Sequence, residues 1–192
     1  MILVGCSGES EEESPKEDTK NNSGEDTTET VEQDTETDGS EGESDMSNLT
    51  LQVLKSDEAN GLTLENNDLY KELTRVINEN PTIGTPNDFS MQTVNSVNKG
   101  QENAAYIFLA INRTDVAMKN VAFNFTMGNK DGEMIWENEK IGLSEDTAGV
   151  LQPNSAVPVI IPLTPEQETR IGDLTSDNTV LELSNFQYEE AE

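Results

Sequence analysis

The 192-residue chain carries 39 acidic against 11 basic residues, a formal net charge of −28, with no histidine and one cysteine. That balance excludes nucleic acid as a partner, because phosphate backbones are bound by clustered Lys and Arg and no basic stripe is present. Without histidine the usual general base near neutral pH is missing, and one thiol makes neither an internal disulfide nor a zinc or iron–sulfur cluster, so no cofactor is expected.

The charge is unevenly spread. Residues 1–45 hold 16 acids and 2 lysines, and residues 46–192 hold 23 acids and 9 bases, so half the excess sits in less than a quarter of the chain. Between Ser7 and Asp45 the sole hydrophobic residue is Val31. Such a segment cannot bury enough apolar surface to offset its conformational entropy, and its like charges repel, which predicts a disordered, extended linker over 7–45. Residues 46–192 carry the one Trp, all five Phe and all three Tyr, and their length is that of a single domain with its own core. The strong negative field also repels an anionic lipid surface, so this domain stands off a membrane unless something tethers it.

The chain begins MILVGCSG. Leu3-Val4-Gly5-Cys6 resembles the lipobox of bacterial lipoproteins, and residues 1–6 then read as the remnant of a lipoprotein signal peptide. The resemblance implies that the Cys6 sulfur is diacylglycerated and that the chain is cut before it, with Leu3 and the small Gly5 accepted by a signal peptidase. Only Met1 to Val4 precede the motif, so the charged and apolar parts of the signal are expected upstream of Met1. The plainer alternative is an inert thiol in a frayed terminus. A diacylglyceryl group supplies the two acyl chains that stable anchoring needs. A flexible linker over 7–45 spans about 35 Å, more once repulsion stretches it, and lets the domain sample a shell above the membrane.

In the domain, LTLQVL (49–54) alternates as a half-buried strand does. Leu69, Leu73, Val76 and Ile77 then fall on one helical face, with N-cap oxygens offered by Asn66, Asn67 and Asp68 and a stop at Asn80-Pro81. PTIGTP (81–86) is a loop. Strands follow at 89–97 and at 104–112, the latter apolar on both faces and so central, with Ile107, Leu109 and Ile111 inward. The clearest β pattern is 119–127, where Val121, Phe123, Phe125 and Met127 alternate with Ala122, Asn124 and Thr126. Asn129 to Gly132 makes a hairpin turn into 133–141. Prolines in 156–163 suit an edge strand or a strand terminus, and 179–189 closes the set with a bulge near Ser184-Asn185. These elements predict a mostly β protein, an immunoglobulin-like β-sandwich with one short helix. The alternative is an α+β open sheet covered by one helix.

The run from Ala105 to Trp136 is similar to small immunoglobulin-like domains of bacterial surface lipoproteins, of the FxLYD-type and S-layer-associated kinds. Its grammar is a hydrophobic strand ending in Asn-x-Thr, a short connection, an aromatic-alternating strand, Asp-Gly and a return strand. The likeness extends over about residues 104–163, and Met127-Gly128 stand where FxLYD-type members have a Tyr-Asp pair. It implies a binding or assembly module and brings no catalytic residues with it.

Individual residues point the same way. Glu133, Glu137, Glu139, Glu145 and Asp146 show no marked carboxylate pair of the kind glycoside hydrolysis needs, so no catalytic residue is assigned. Asn129 to Gly132 opens like an EF-hand loop but lacks the ligand spacing and closing Glu, and 144–149 and 173–178 read first as ordinary turns. Trp136, Phe123 and Phe125 would suit a sugar-stacking face, yet their strand periodicity favours a core. The sequons at Asn48, Asn112 and Asn124 read as coincidence in an Asn-rich chain. The expected protein is a non-catalytic, lipid-anchored extracytoplasmic module of a Gram-positive bacterium that binds a surface protein or wall polymer. A small envelope enzyme or a calcium-dependent carbohydrate binder is the alternative.

Overall fold

The computed structural model describes residues 47–192; Cys6 and the 7–45 linker lie outside them. The elements in chain order are β1 (Thr50–Leu51), α1 (Lys55–Ala59), α2 (Asp68–Glu79), β2 (Phe89–Val97), β3 (Ala105–Asn112), β4 (Met118–Asn129), β5 (Met134–Leu143), β6 (Ser155–Pro162), α3 (Pro165–Gly172) and β7 (Thr179–Glu190). The strands form two sheets, ordered β1-β6-β3-β2 and β5-β4-β7. Apart from the parallel β1–β6 pair, every pairing is antiparallel. The fold is therefore mostly β. With β2, β3 and β6 in one sheet and β4, β5 and β7 in the other, the strands are divided as in an immunoglobulin-type sandwich.

The sheets meet through aromatic side chains. Phe108 of β3 packs edge-on against Phe125 of β4 at 5.0 Å and against Trp136 of β5 at 5.8 Å. Val121, Phe123, Phe125 and Met127 all face this core, as their alternation requires. The inward face of β3 is the Phe108–Ala110 face, which corrects the expectation for Ile107, Leu109 and Ile111. Those three point the other way and pack beneath α2 against Tyr70, Leu73 and Ile77. A strand apolar on both faces can serve two cores at once, and this one does. The molecule is thus three layers, helix on sheet on sheet, and the open sheet with a covering helix survives as part of the sandwich.

Among the described residues three helices replace the single one expected. Asn67 caps α2, its side chain accepting from the Tyr70 N–H at 3.2 Å. The buried face centres on Tyr70, Leu73 and Ile77, with Leu69 only packed alongside it. The Tyr70 hydroxyl donates to Asp57 Oδ2 at 2.7 Å and accepts from the Leu54 N–H at 3.0 Å, which fastens α1 to α2. Helix α3 starts with a capping box, Thr164 and Gln167 each bonding the other's backbone N–H, and has Pro165 in its first turn.

The prolines of β6 are placed by a short neighbour. β6 lies between β1 and β3, but β1 pairs only with Ser155 and Ala156. From Val157 onward its outer side is an edge, where the missing N–H groups of Pro158 and Pro162 are tolerated. The strand expected at 49–54 is reduced to two residues because Leu54 already caps α1.

Among the described residues six non-glycine residues take positive φ, and all six are Asn: Asn87, Asn98, Asn120, Asn138, Asn154 and Asn185. Asn tolerates the left-handed region better than most residues. Three of them sit at register shifts, Asn120 in β4, Asn138 in β5 and Asn185 in β7, each the extra residue of a bulge. The bulge expected near Ser184-Asn185 is one of these.

Asn112 and Arg113, at the end of β3, are buried among carbonyls. Asn112 Nδ2 donates to the Val116, Leu151 and Gln152 carbonyls. The Arg113 guanidinium donates to the carbonyls of Ser47, Pro81 and Ile83 and to Asn154 Oδ1. This one side chain ties the start of the described domain to the end of α2 and to the β5–β6 connection.

Candidate functional site

Most residues singled out for chemistry turn out to be occupied with folding. Trp136, Phe123 and Phe125 are buried in the sandwich core. Glu145 faces Lys119 at 3.4 Å, Asp146 faces Lys55 at 3.8 Å, and Glu133 accepts from Asn129 Nδ2 at 2.8 Å, so these acids do not converge. Glu137 and Glu139 are exposed on β5. Asn129 Oδ1 accepts from the backbone N–H of Asp131 and Glu133, and Asn178 Oδ1 accepts from the Thr175 N–H. These side-chain oxygens hold their own turns together. Among the described residues no group of three or more Cys, Asp or Glu is placed to hold a metal ion. The Asn112 sequon side chain is fully buried.

A groove of about 910 Å³ runs between residues 51–53, 61–65 and 148–152. Its central side chain, Gln52, donates to the Val150 carbonyl and accepts from the Gln152 N–H and the Ser155 hydroxyl. Gln52 thus serves the groove's own walls.

The two open sides of the sandwich differ in kind. On one side β6 and β5 border a groove of about 360 Å³ that includes Pro158, Ile160 and Pro162. Prolines deny that edge the donors a new strand would need. On the other side β2 and β7 are the edge strands. Here Phe186 stacks on Phe89 at 4.7 Å and 29°, and Tyr188 follows at 5.6 Å. Phe186 and Tyr188 remain 37% and 40% exposed, large values for residues that face a core seam. Ser184 to Glu190 are exposed without a break.

The Asn185 bulge creates this arrangement. Leu181 and Leu183 pack against the sandwich core, so strict alternation would bring Asn185 inward next. One extra residue resets the alternation and turns Phe186 and Tyr188 toward the seam instead. Glu182, Ser184, Gln187 and Glu189 take the outer face. Among the described residues β7 pairs only with β4, so its other edge carries no strand. This edge and its two aromatics are the candidate site. Sequence reasoning passed over Phe186 and Tyr188 because alternation alone cannot tell a covered strand from an edge.

No family model, no curated protein and no solved structure matches the chain.

Proposed function

We propose that this chain is a lipid-anchored extracytoplasmic binding or assembly module of a bacterial envelope of the Gram-positive type, with a surface protein or wall polymer as partner. The observation that carries the reading is the order of its parts: a lipobox-like Leu3-Val4-Gly5-Cys6, then 39 acidic and polar residues, then a folded domain. A charged spacer of that length has a physical purpose when its far end is fixed to a surface. It holds the domain away from the bilayer, and its own repulsion keeps it from collapsing back. Among the described residues no helix is long and apolar enough to cross a membrane.

A recognition role also agrees with the chemistry on display. The carboxylates weighed for catalysis are dispersed, whereas an exposed strand edge with aromatic side chains is a surface suited to a macromolecular partner. The test is to express the gene with its natural upstream sequence and fractionate the cells. The protein is expected in the membrane fraction, released by detergent and not by high salt, and labelled by a supplied fatty acid. Cys6→Ser abolishes both the label and the membrane association. Unlabelled protein free in the cytosol sinks the proposal.

A further inference from the structure

We propose that the outer edge of β7 accepts an extended, Lys- or Arg-bearing segment of a partner protein as an added strand of the β5-β4-β7 sheet. The inference deepens the reading of the chain as a binding module and names the class of partner.

Among the described residues the edge is long and guarded only by one bulge and by acidic side chains. Natural sheets protect edges with prolines, lysines, short strands or a covering element. β7 runs for 12 residues with neither proline nor lysine. Its Asn185 bulge bends the strand, yet Ser184 to Glu190 stay exposed. The β6 edge by contrast has Pro158 and Pro162, and β2 is buried or half-buried along all but one of its nine residues.

The charge selects the occupant. After Arg170 the chain has six acids, Asp173, Asp177, Glu182, Glu189, Glu190 and Glu192, and no base. A second copy docking edge to edge would set Glu182, Glu189 and Glu190 against their own counterparts, and like charges across strands are destabilising. A cationic strand meets the same glutamates favourably and gains in association rate as well. Its side chains would alternate to match β7. One face presents Lys or Arg to Glu182 and Glu189. The other presents apolar groups to Phe186 and Tyr188, where the seam between β7 and β2 is only partly closed. Backbone hydrogen bonds supply affinity, and alternate side chains supply selection.

The experiment uses the full chain and a fluorescent peptide of alternating Lys and Val. A control peptide has the same net charge with two prolines inside it. The alternating peptide is expected to bind, to slow backbone hydrogen exchange in Ser184 to Glu190, and to lose about tenfold or more in affinity against an E182K/E189K/E190K variant. All three positions are solvent-exposed, so the variant is expected to fold. Equal affinity for the proline peptide, binding without protection of β7, or binding unchanged by the charge reversal overturns the proposal. So does protection of β7 that rises with protein concentration in the absence of peptide, which would make the occupant a second copy. None of these outcomes bears on Cys6, whose lipidation is measured separately, so failure here and failure of the anchor are distinguishable.

Discussion

Replacing Arg113 with methionine removes five hydrogen bonds while keeping most of the side chain's volume. The bonds run from Nε to the Ile83 carbonyl at 3.0 Å, from Nη1 to the Ser47 carbonyl at 2.6 Å and Asn154 Oδ1 at 3.3 Å, and from Nη2 to the Pro81 and Ile83 carbonyls at 2.8 and 2.9 Å. Arg113 is 4% exposed and has no carboxylate partner among the described residues, and burial draws its pKa below the ordinary guanidinium value. That desolvation offsets part of the bonding. Bonds to charged groups contribute about 1.5–3 kcal/mol net, and each buried carbonyl left without a donor costs about 1–3 kcal/mol. The expected loss for Arg113→Met is therefore about 3–5 kcal/mol, because the Ser47 and Ile83 carbonyls lose their donor together and the Pro81 carbonyl keeps only the Leu49 N–H. In a domain of this size that lowers Tm by roughly 6–20 °C. Urea unfolding of both proteins measures it, as a fall in midpoint at constant m-value. A loss below about 1 kcal/mol would mean that water replaces the guanidinium freely, and the clamp reasoning fails.

Four other perturbations test separate parts of the account. Burial and the hydrogen bond to Asp57 raise the pKa of Tyr70, and burial raises that of Tyr106, so the unfolded chain ionises first above pH about 10 and stability falls as pH rises from there; urea midpoints between pH 8 and 11 should drop less steeply in Tyr70→Phe, which at neutral pH costs about 1–2 kcal/mol. Gly128→Ala should cost about 1–3 kcal/mol, because a Cβ there stands 2.8 Å from Met134 Cα and closer to the Glu133 carbonyl oxygen; thermal unfolding with Tm unchanged would contradict the close pairing of β4 and β5. Thr164→Ala removes one half of the α3 capping box and should lower stability by about 1 kcal/mol, and a Thr164→Ala/Gln167→Ala double variant that loses less than the sum of the two single losses would show that the two halves act together. Millimolar calcium is expected to leave Tm unmoved, and a rise of several degrees would favour the calcium-dependent alternative.

How far the fold could be read from the sequence depended on whether the signal was local. β2 was legible to the residue and β4 and β7 nearly so, because strand periodicity is written in adjacent side chains, as in Val121, Phe123 and Phe125. The direction in which β3 faces was not, since Phe108 and Ile107 are both apolar and only the placement of α2 decides which core each joins. Helix α3 carried a readable signature in Thr164-Pro165-Glu166-Gln167, a capping box with proline in the first turn, which the two-strand context obscured. Arg113 was hidden for a different reason. Its partners Ser47, Pro81, Ile83 and Asn154 are spread across more than 100 residues, so nothing near it in sequence announces burial. The candidate site was half legible: the bulge at Asn185 was foreseen, but the exposure of Phe186 and Tyr188 follows from which strands end up at an edge.

The intact mass of the mature protein recovered from membranes tests the central claim most directly. The tethered-module account predicts a chain that begins at Cys6 and carries a diacylglyceryl group on its sulfur, with the remaining sequence unmodified. A soluble product that begins at Met1 with an unmodified Cys6 thiol would contradict it.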